Sequence, residues 1–248
     1  MRDEDLIDIL HHPALELTRF YLAEIMARYF RLKVRGAHRV PKSGPAIILP
    51  NHSGFMGFDA MMICHSLRKR SGRSYKVVAH RAYFDLFQTL RIISQGLGFT
   101  EAKLANVQQV LDQGELVLLF PEGESGNFKS SLDRYKLRPF HTGFVRTALQ
   151  TGAPIVPCIV IGAEESNFNL GNINLNKFIN HLVVPLPLNV FPLPAKWTIE
   201  FLPPIDLTGV SEELAHDHEW VRHKAQEIQH MMQHEIDKRL RARRSIYF

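Results

Sequence analysis

"PAIILPNHSGFMGFDA", residues 45–60, runs from an apolar stretch into Asn-His, crosses Gly54 and Gly57, and then places an acid, Asp59. The apolar run Ala46–Pro50 is short and unbroken, the pattern of a strand buried on both faces. Asp59 stands ahead of "AMMICHSL", where a helix needs a cap. His52 and Asp59 are seven positions apart, and in continuous helix that rise is about 10.5 Å, too far for contact. The two glycines argue against continuous helix. A looped segment returns the carboxylate to one imidazole nitrogen and leaves the other to take a proton. The same residues also read as a loop histidine beside a capping aspartate.

Outward from this stretch, "SYKVVAH", "ELVLLF", "PIVPCIVIG" and "KWTIEFLPPI" read as strands. Helical patterns separate them: "DLFQTLRIIS" at 85–94, "NVQQVLDQG" at 106–114 and "GFVRTALQTG" at 143–152. This alternation predicts an α/β fold, a single domain with a central mixed sheet flanked by helices and with active groups at strand ends. Residues 14–31 predict an amphipathic helix with Leu15, Leu22, Ile25, Met26 and Tyr29 on one side. A long basic helix closes the chain, with Val221, Ala225, Ile228, Met232 and Ile236 as its apolar stripe.

Composition bounds the function only loosely. The 248 residues suffice for a full core, and 45% apolar with 22% charged residues is globular usage. Two cysteines, Cys64 and Cys158, form no zinc or disulfide pattern, which fits a reducing compartment. The net charge of +5 suits a membrane surface, a phosphate-bearing substrate or nucleic acid. No nucleic-acid recognition motif accompanies it. The acidic start, "MRDEDLIDILHH", is unlike a signal peptide, so export is not expected. Residues 178–195 carry no charge, but Pro185, Pro187, Pro192 and Pro194 argue against a membrane-spanning helix and for a segment resting on an interface.

Three strand exits gather polar groups: "ILPNHSGFMGFD", "LVLLFPEGESG" and "GAPIVPCIVIG". In that order they resemble the glycerolipid and lysophospholipid acyltransferase family, related to 1-acylglycerol-3-phosphate O-acyltransferases. The matching residues are Asn51, His52 and Asp59, then Phe120, Pro121, Glu122 and Gly123, then "APIVP" at 153–157. The resemblance runs from about residue 34 to 206. It divides the chain into an N-terminal amphipathic segment (1–33), an acyltransferase domain (34–210) and a C-terminal basic helix (211–248).

The resemblance implies transfer of a fatty acyl group from acyl-CoA or acyl carrier protein to a hydroxyl of a glycerolipid or lysophospholipid, as in phospholipid synthesis. His52 would be the general base and Asp59 its orienting partner, with Glu122 and Gly123 on the acceptor side. No metal and no cofactor beyond the thioester co-substrate are implied. A peripheral protein on the cytoplasmic face of a membrane, touching anionic lipid, is the matching location. The terminal "KRLRARR" offers cations for that contact.

Two departures from the family pattern stand out. Six residues rather than the usual four separate the histidine from the aspartate. Glu124-Ser125 replaces the usual Thr-Arg after Phe-Pro-Glu-Gly, and "GLGFTEAK" lacks the arginine of the preceding motif. Either Lys129, Arg134, Lys136 or Arg138 takes the acceptor phosphate, or the acceptor has none. Those four also read as a solvated basic loop.

Other readings of the residues compete. "GESGN" places Ser125 where a hydrolase nucleophile elbow would, though Asn127 replaces the needed glycine. His230 and His234, one turn apart, read as exposed helix histidines more readily than as metal ligands. A non-catalytic membrane-binding module of the same fold is the third alternative.

Overall fold

A computed structural model describes residues 12–53, 57–79, 99–127, 129–174, 183–189 and 191–247. The helix expected over 85–94 lies outside the described residues. Nine strands are described: β1 (Lys33–Arg35), β2 (Ala46–Pro50), β3 (Tyr75–Ala79), β4 (Phe99–Glu101), β5 (Leu116–Leu118), β6 (Ile155–Ile161), β7 (Asn169–Asn174), β8 (Val183–Pro187) and β9 (Thr198–Phe201). The helices are α1 (Pro13–Tyr29), α2 (Phe58–Ser71), α3 (Leu104–Asp112), the single turn α4 (Glu124–Asn127), α5 (Gly143–Thr151) and α6 (His218–Ala242).

Seven strands form one sheet in the order β1-β9-β6-β2-β5-β3-β4. From β6 to β4 every pairing is parallel, whereas β9 joins β6 antiparallel and pairs with β1 in parallel. The sheet is therefore mixed, as the strand-helix alternation led us to expect. A separate antiparallel pair, β7 and β8, stands beside it.

The apolar run at 46–50 becomes central strand β2 with all five residues buried. Its alternate residues face two cores. Ile47 and Leu49 join α3, α5 and α6, while Ala46 and Ile48 join α1 and α2. A strand covered by helices on both sides must be apolar on both faces, which explains the unbroken pattern. Because β5 and β6 flank β2 in parallel, the exits carrying His52, Glu122 and Glu164 open at the same sheet edge.

The two terminal helices dock differently. In α6, Val221, Ala225, Ile228, Met232 and Ile236 are buried as the spacing predicts, and Asp217 caps the helix by accepting from the Glu219 and Trp220 amides. In α1 the expected stripe is turned largely outward: Leu22, Ile25 and Tyr29 are exposed, Leu15 and Met26 are partly buried, the neighbouring Leu17 and Tyr21 are exposed as well, and Ala23 is the buried residue of the helix. The opposite side is held by ion pairs to α2. Glu16 meets Arg68 at 2.7 Å, and Glu24 meets Lys69 at 2.9 Å and His65 at 3.0 Å. Charge pairing, together with small residues and Phe20 packed on His65, seats this helix.

Candidate active site

His52 leaves β2 one residue after Asn51, whose side chain stitches the exit in place. Its amide nitrogen donates to the Val160 carbonyl at 3.1 Å, and its oxygen accepts the Val160 amide at 2.7 Å. Asn51 thus extends the β2–β6 ladder by a side-chain rung, and the next residue inherits a fixed backbone. The His52 ring stacks on Phe120 with centroids 4.0 Å apart. Its Nδ1 lies 2.6 Å from Asp59 Oδ2, and 15% of the side chain remains exposed.

Asp59 is fully buried at the start of α2. It is not the cap expected from sequence: Gly57 occupies that position at φ 67°, a left-handed conformation natural to glycine. Asp59 lies in the first turn, where Oδ1 accepts the Ala60 amide at 2.7 Å and Oδ2 accepts the Ser53 amide at 2.8 Å. The six-residue spacer therefore still delivers the acid to the imidazole.

Glu122 was expected on the acceptor side, but its carboxylate points inward. The residue is fully buried, with Oε1 accepting the His52 amide at 3.0 Å and Oε2 accepting the Arg138 amide at 2.8 Å. Gly123, at φ 58°, reverses the chain and lies against the exposed His141 ring, which a Cβ would approach to 3.0 Å. A Cβ on Gly126 would come within 2.5 Å of the Glu122 Cβ and 3.0 Å of the His52 Cβ. Only glycine lets this turn close over the histidine.

The four cations proposed for an acceptor phosphate do not converge. Lys129 is neither solvated nor open to a ligand: its ammonium is buried between Glu164 Oε1 at 3.0 Å and Glu122 Oε2 at 3.3 Å. Lys136 and Arg138 share Asp133 at 3.1 and 3.0 Å. Arg134 is exposed.

Ser125 donates to the Glu122 carbonyl at 2.7 Å, and among the described residues no base is paired with it. Burial pushes the Cys158 thiol well above its ordinary pKa, so it sits in the core as an apolar residue. His230 and His234 are exposed on α6. Among the described residues no cluster of three or more His, Cys, Asp or Glu has metal-binding geometry.

Sequence reasoning missed Asn51 as a clip, Phe120 as the stacking partner and Gly126 as a close approach. The first two sit in the motifs themselves, but their contacts depend on strands more than 60 residues apart in sequence.

Comparisons with known proteins bear on the fold and the family. A 1-acyl-sn-glycerophosphate (LPA) acyltransferase, PlsC, from Thermotoga maritima superposes with a TM-score of 0.57 at 17% identity, covering 95% of this chain and 86% of that one. An uncharacterized protein of Mycobacterium tuberculosis is 32% identical over 244 residues, 94% of this chain and 67% of its own. The human 1-acyl-sn-glycerol-3-phosphate acyltransferase alpha is 27% identical over 161 residues, 61% of this chain and 53% of its own. Phytyl ester synthase 1 of Arabidopsis thaliana chloroplasts is 27% identical over 138 residues, 53% of this chain and 20% of its own. The acyltransferase family profile matches residues 31–161, more than half the chain and the whole span from β1 to the end of β6, so this protein belongs to the acyltransferase family.

Proposed function

We propose that the protein moves a fatty acyl group from a thioester, acyl-CoA or acyl carrier protein, to a hydroxyl of a glycerolipid or lysophospholipid, with His52 as general base. The observation that carries this reading is the 2.6 Å contact between His52 Nδ1 and Asp59. A carboxylate at Nδ1 holds the proton there and leaves the Nε2 lone pair for the substrate, the division of labour in a base-orienter pair. Nε2 takes the acceptor's hydroxyl proton as the oxygen attacks the thioester carbonyl. The tetrahedral oxyanion then collapses, the carbon–sulfur bond breaks, and the imidazolium returns its proton to the leaving thiolate. The new ester and the free thiol balance the reaction, and no enzyme-bound acyl group is formed.

The pairing of the described cations, exposed Arg134 apart, supports a choice of acceptor. Lys129 is held by two buried carboxylates, and Lys136 and Arg138 by Asp133, which favours an acceptor without a phosphate at this mouth. The relative named for a phytyl ester is consistent with that choice.

A place on the membrane surface is the matching location. No helix among the described residues is long and apolar enough to cross a bilayer. The exposed side of α1, with Tyr29 donating to the Pro192 carbonyl at 2.8 Å, runs on to Phe191 and Leu188, which are 88% and 67% exposed. This apolar surface supports an interfacial contact better than the terminal basic helix does. There Arg239 and Arg243 turn inward to Glu200 and Glu165, at 2.6 and 2.7 Å.

An acceptor panel with labelled acyl-CoA tests the reading. Ester formed with neutral lipid alcohols in preference to phosphorylated lysolipids is the expected result. Preference for phosphorylated acceptors would place the phosphate site elsewhere, and thioester hydrolysis without any ester product would contradict the transferase reading.

A further inference from the structure

Lys129 is a buried cation beside the site that the acyl transfer just described does not use. An ammonium removed from water is costly unless its charge is matched, and here two carboxylates match it. Glu164 Oε1 stands at 3.0 Å and Glu122 Oε2 at 3.3 Å. The Glu164 end is firmly built. Its other oxygen accepts the Tyr135 amide at 2.9 Å, and the Tyr135 hydroxyl accepts the Gly162 amide at 2.8 Å while donating to Glu165. Arg243, just past α6, closes on Glu165.

The Glu122 end is the one that reaches the base. Its Oε1 accepts the backbone amide of His52, and among the described residues no other group does so. One ammonium therefore joins the exits of three parallel strands: β2 through His52, β5 through Glu122 and β6 through Glu164. Without the cation, Glu122 and Glu164 would be two like-charged carboxylates facing each other in a dry interior, where burial already raises the Glu164 carboxyl above its ordinary value. Repulsion would drive them apart, and that loosens the grip of Oε1 on the His52 amide.

We infer that Lys129 is a positioning residue: seated on Glu164, its ammonium holds the Glu122 carboxylate and through it the backbone of the base. The inference rests on His52 being the base of the proposed transfer. Displacing that base relative to the hydroxyl by about 1 Å is worth on the order of 10²-fold in rate.

The test uses Lys129→Met, with Lys129→Arg as the variant that keeps the cation. Two quantities are read on the folded protein: turnover per folded molecule, and hydrogen exchange at the His52 amide. Lys129→Met is expected to lose kcat on the order of 10²-fold with the donor KM little changed, and to speed exchange at His52 while amides within β6 stay protected. Lys129→Arg should keep both. In a Glu122→Gln background the same Lys129→Met change should cost little more, because the carboxylate it holds is already gone. Where Lys129→Met does not fold, Lys129→Gln, which removes the charge but keeps a polar group in the buried site, carries the same expectation.

A lowered Tm with kcat per folded molecule and His52 exchange at wild-type levels would overturn the proposal and leave Lys129 a structural residue. His52→Ala in the same assay separates the two readings. If it retains turnover, the base assignment fails, and exchange at the His52 amide in the parent and Lys129 variants still decides whether Lys129 holds that backbone.

Discussion

His52 is held by four unlike contacts: a ring hydrogen bond to Asp59, a stack on Phe120, a backbone bond to Glu122 and the neighbouring Asn51 rung. Removing the orienting charge while keeping shape is the sharpest change. Asp59→Asn presents either an amide N–H or a neutral oxygen to Nδ1 and no longer stabilises the imidazolium. Acyl transfer should fall by roughly 10²–10⁴-fold, the range of general-base contributions, with thermal stability much less affected. Gly126→Ala tests the packing of the same site. The new methyl would meet the Glu122 and His52 Cβ atoms at 2.5 and 3.0 Å, so the turn must shift. Loss of kcat comparable to that of Asp59→Asn, in a protein that still folds, is the expected outcome of a side-by-side assay. The histidine and its acid were legible in the sequence as residue types, while their pairing stood as one of two local readings and as what the family resemblance implied. It depends on a spacer whose path no local propensity dictates, and on Gly57 rather than Asp59 serving as the cap. Glu122 shows the limit more plainly. The motif announces a carboxylate at a strand exit, yet whether it faces substrate or core is decided by Lys129 and the His52 amide, which come from other parts of the chain.

Among the elements, strands and the final helix were the legible ones because burial writes a periodic signature. β2, β5 and β6 are apolar throughout, and α6 repeats its buried stripe over about four turns. Helix α1 carries an equally clear apolar stripe and leaves it in solvent, because sequence periodicity reports a face without saying what covers it. Its seat on α2 is partly electrostatic, and that part is sensitive to acid. Hydrogen bonds from Lys69 and then His65 hold the Glu24 carboxyl below its ordinary value of 4.5, with Arg28 at 3.7 Å on its own helix. A carboxyl whose pKa is lower folded than unfolded stabilises the fold above its unfolded value, and this contribution is lost as pH falls through the folded one. Docking of α1 should therefore weaken below 4.5. Hydrogen exchange along α1 measures this, rising in acid before the sheet amides respond. Glu24→Gln should raise α1 exchange already at neutral pH and flatten its acid dependence. An α1 that exchanges identically in both proteins would mean the ion pairs do not seat it.

At the scale of the molecule, the proposed function has the sheet edge that carries the base and the apolar surface of α1, Leu188 and Phe191 meet the lipid. Burying an isoleucine or leucine in the acyl boundary is worth about 1.5–3 kcal/mol each. Leu22→Glu and Ile25→Glu should each cut vesicle binding by roughly tenfold or more, in co-sedimentation with neutral as well as anionic lipid. Arg241→Gln, on the exposed side of α6, should matter less, and only at low salt. A protein whose binding follows the terminal cations and ignores α1 would reverse that orientation. The sheet, its helices and the strand-exit site followed from alternation and three motifs, since parallel neighbours must open at one edge. The surface proposed to face lipid was read only in part, as the uncharged stretch 178–195, because the exposure of the α1 stripe is a property of the assembled fold. The account stands or falls on one proton. Single-turnover transfer from labelled acyl-CoA to an accepted lipid alcohol, in the parent protein and in His52→Ala, measures it most directly. The expected result is ester formation by the parent and a loss on the order of 10²–10⁴-fold in the folded variant. Equal ester formation by the two proteins would contradict it.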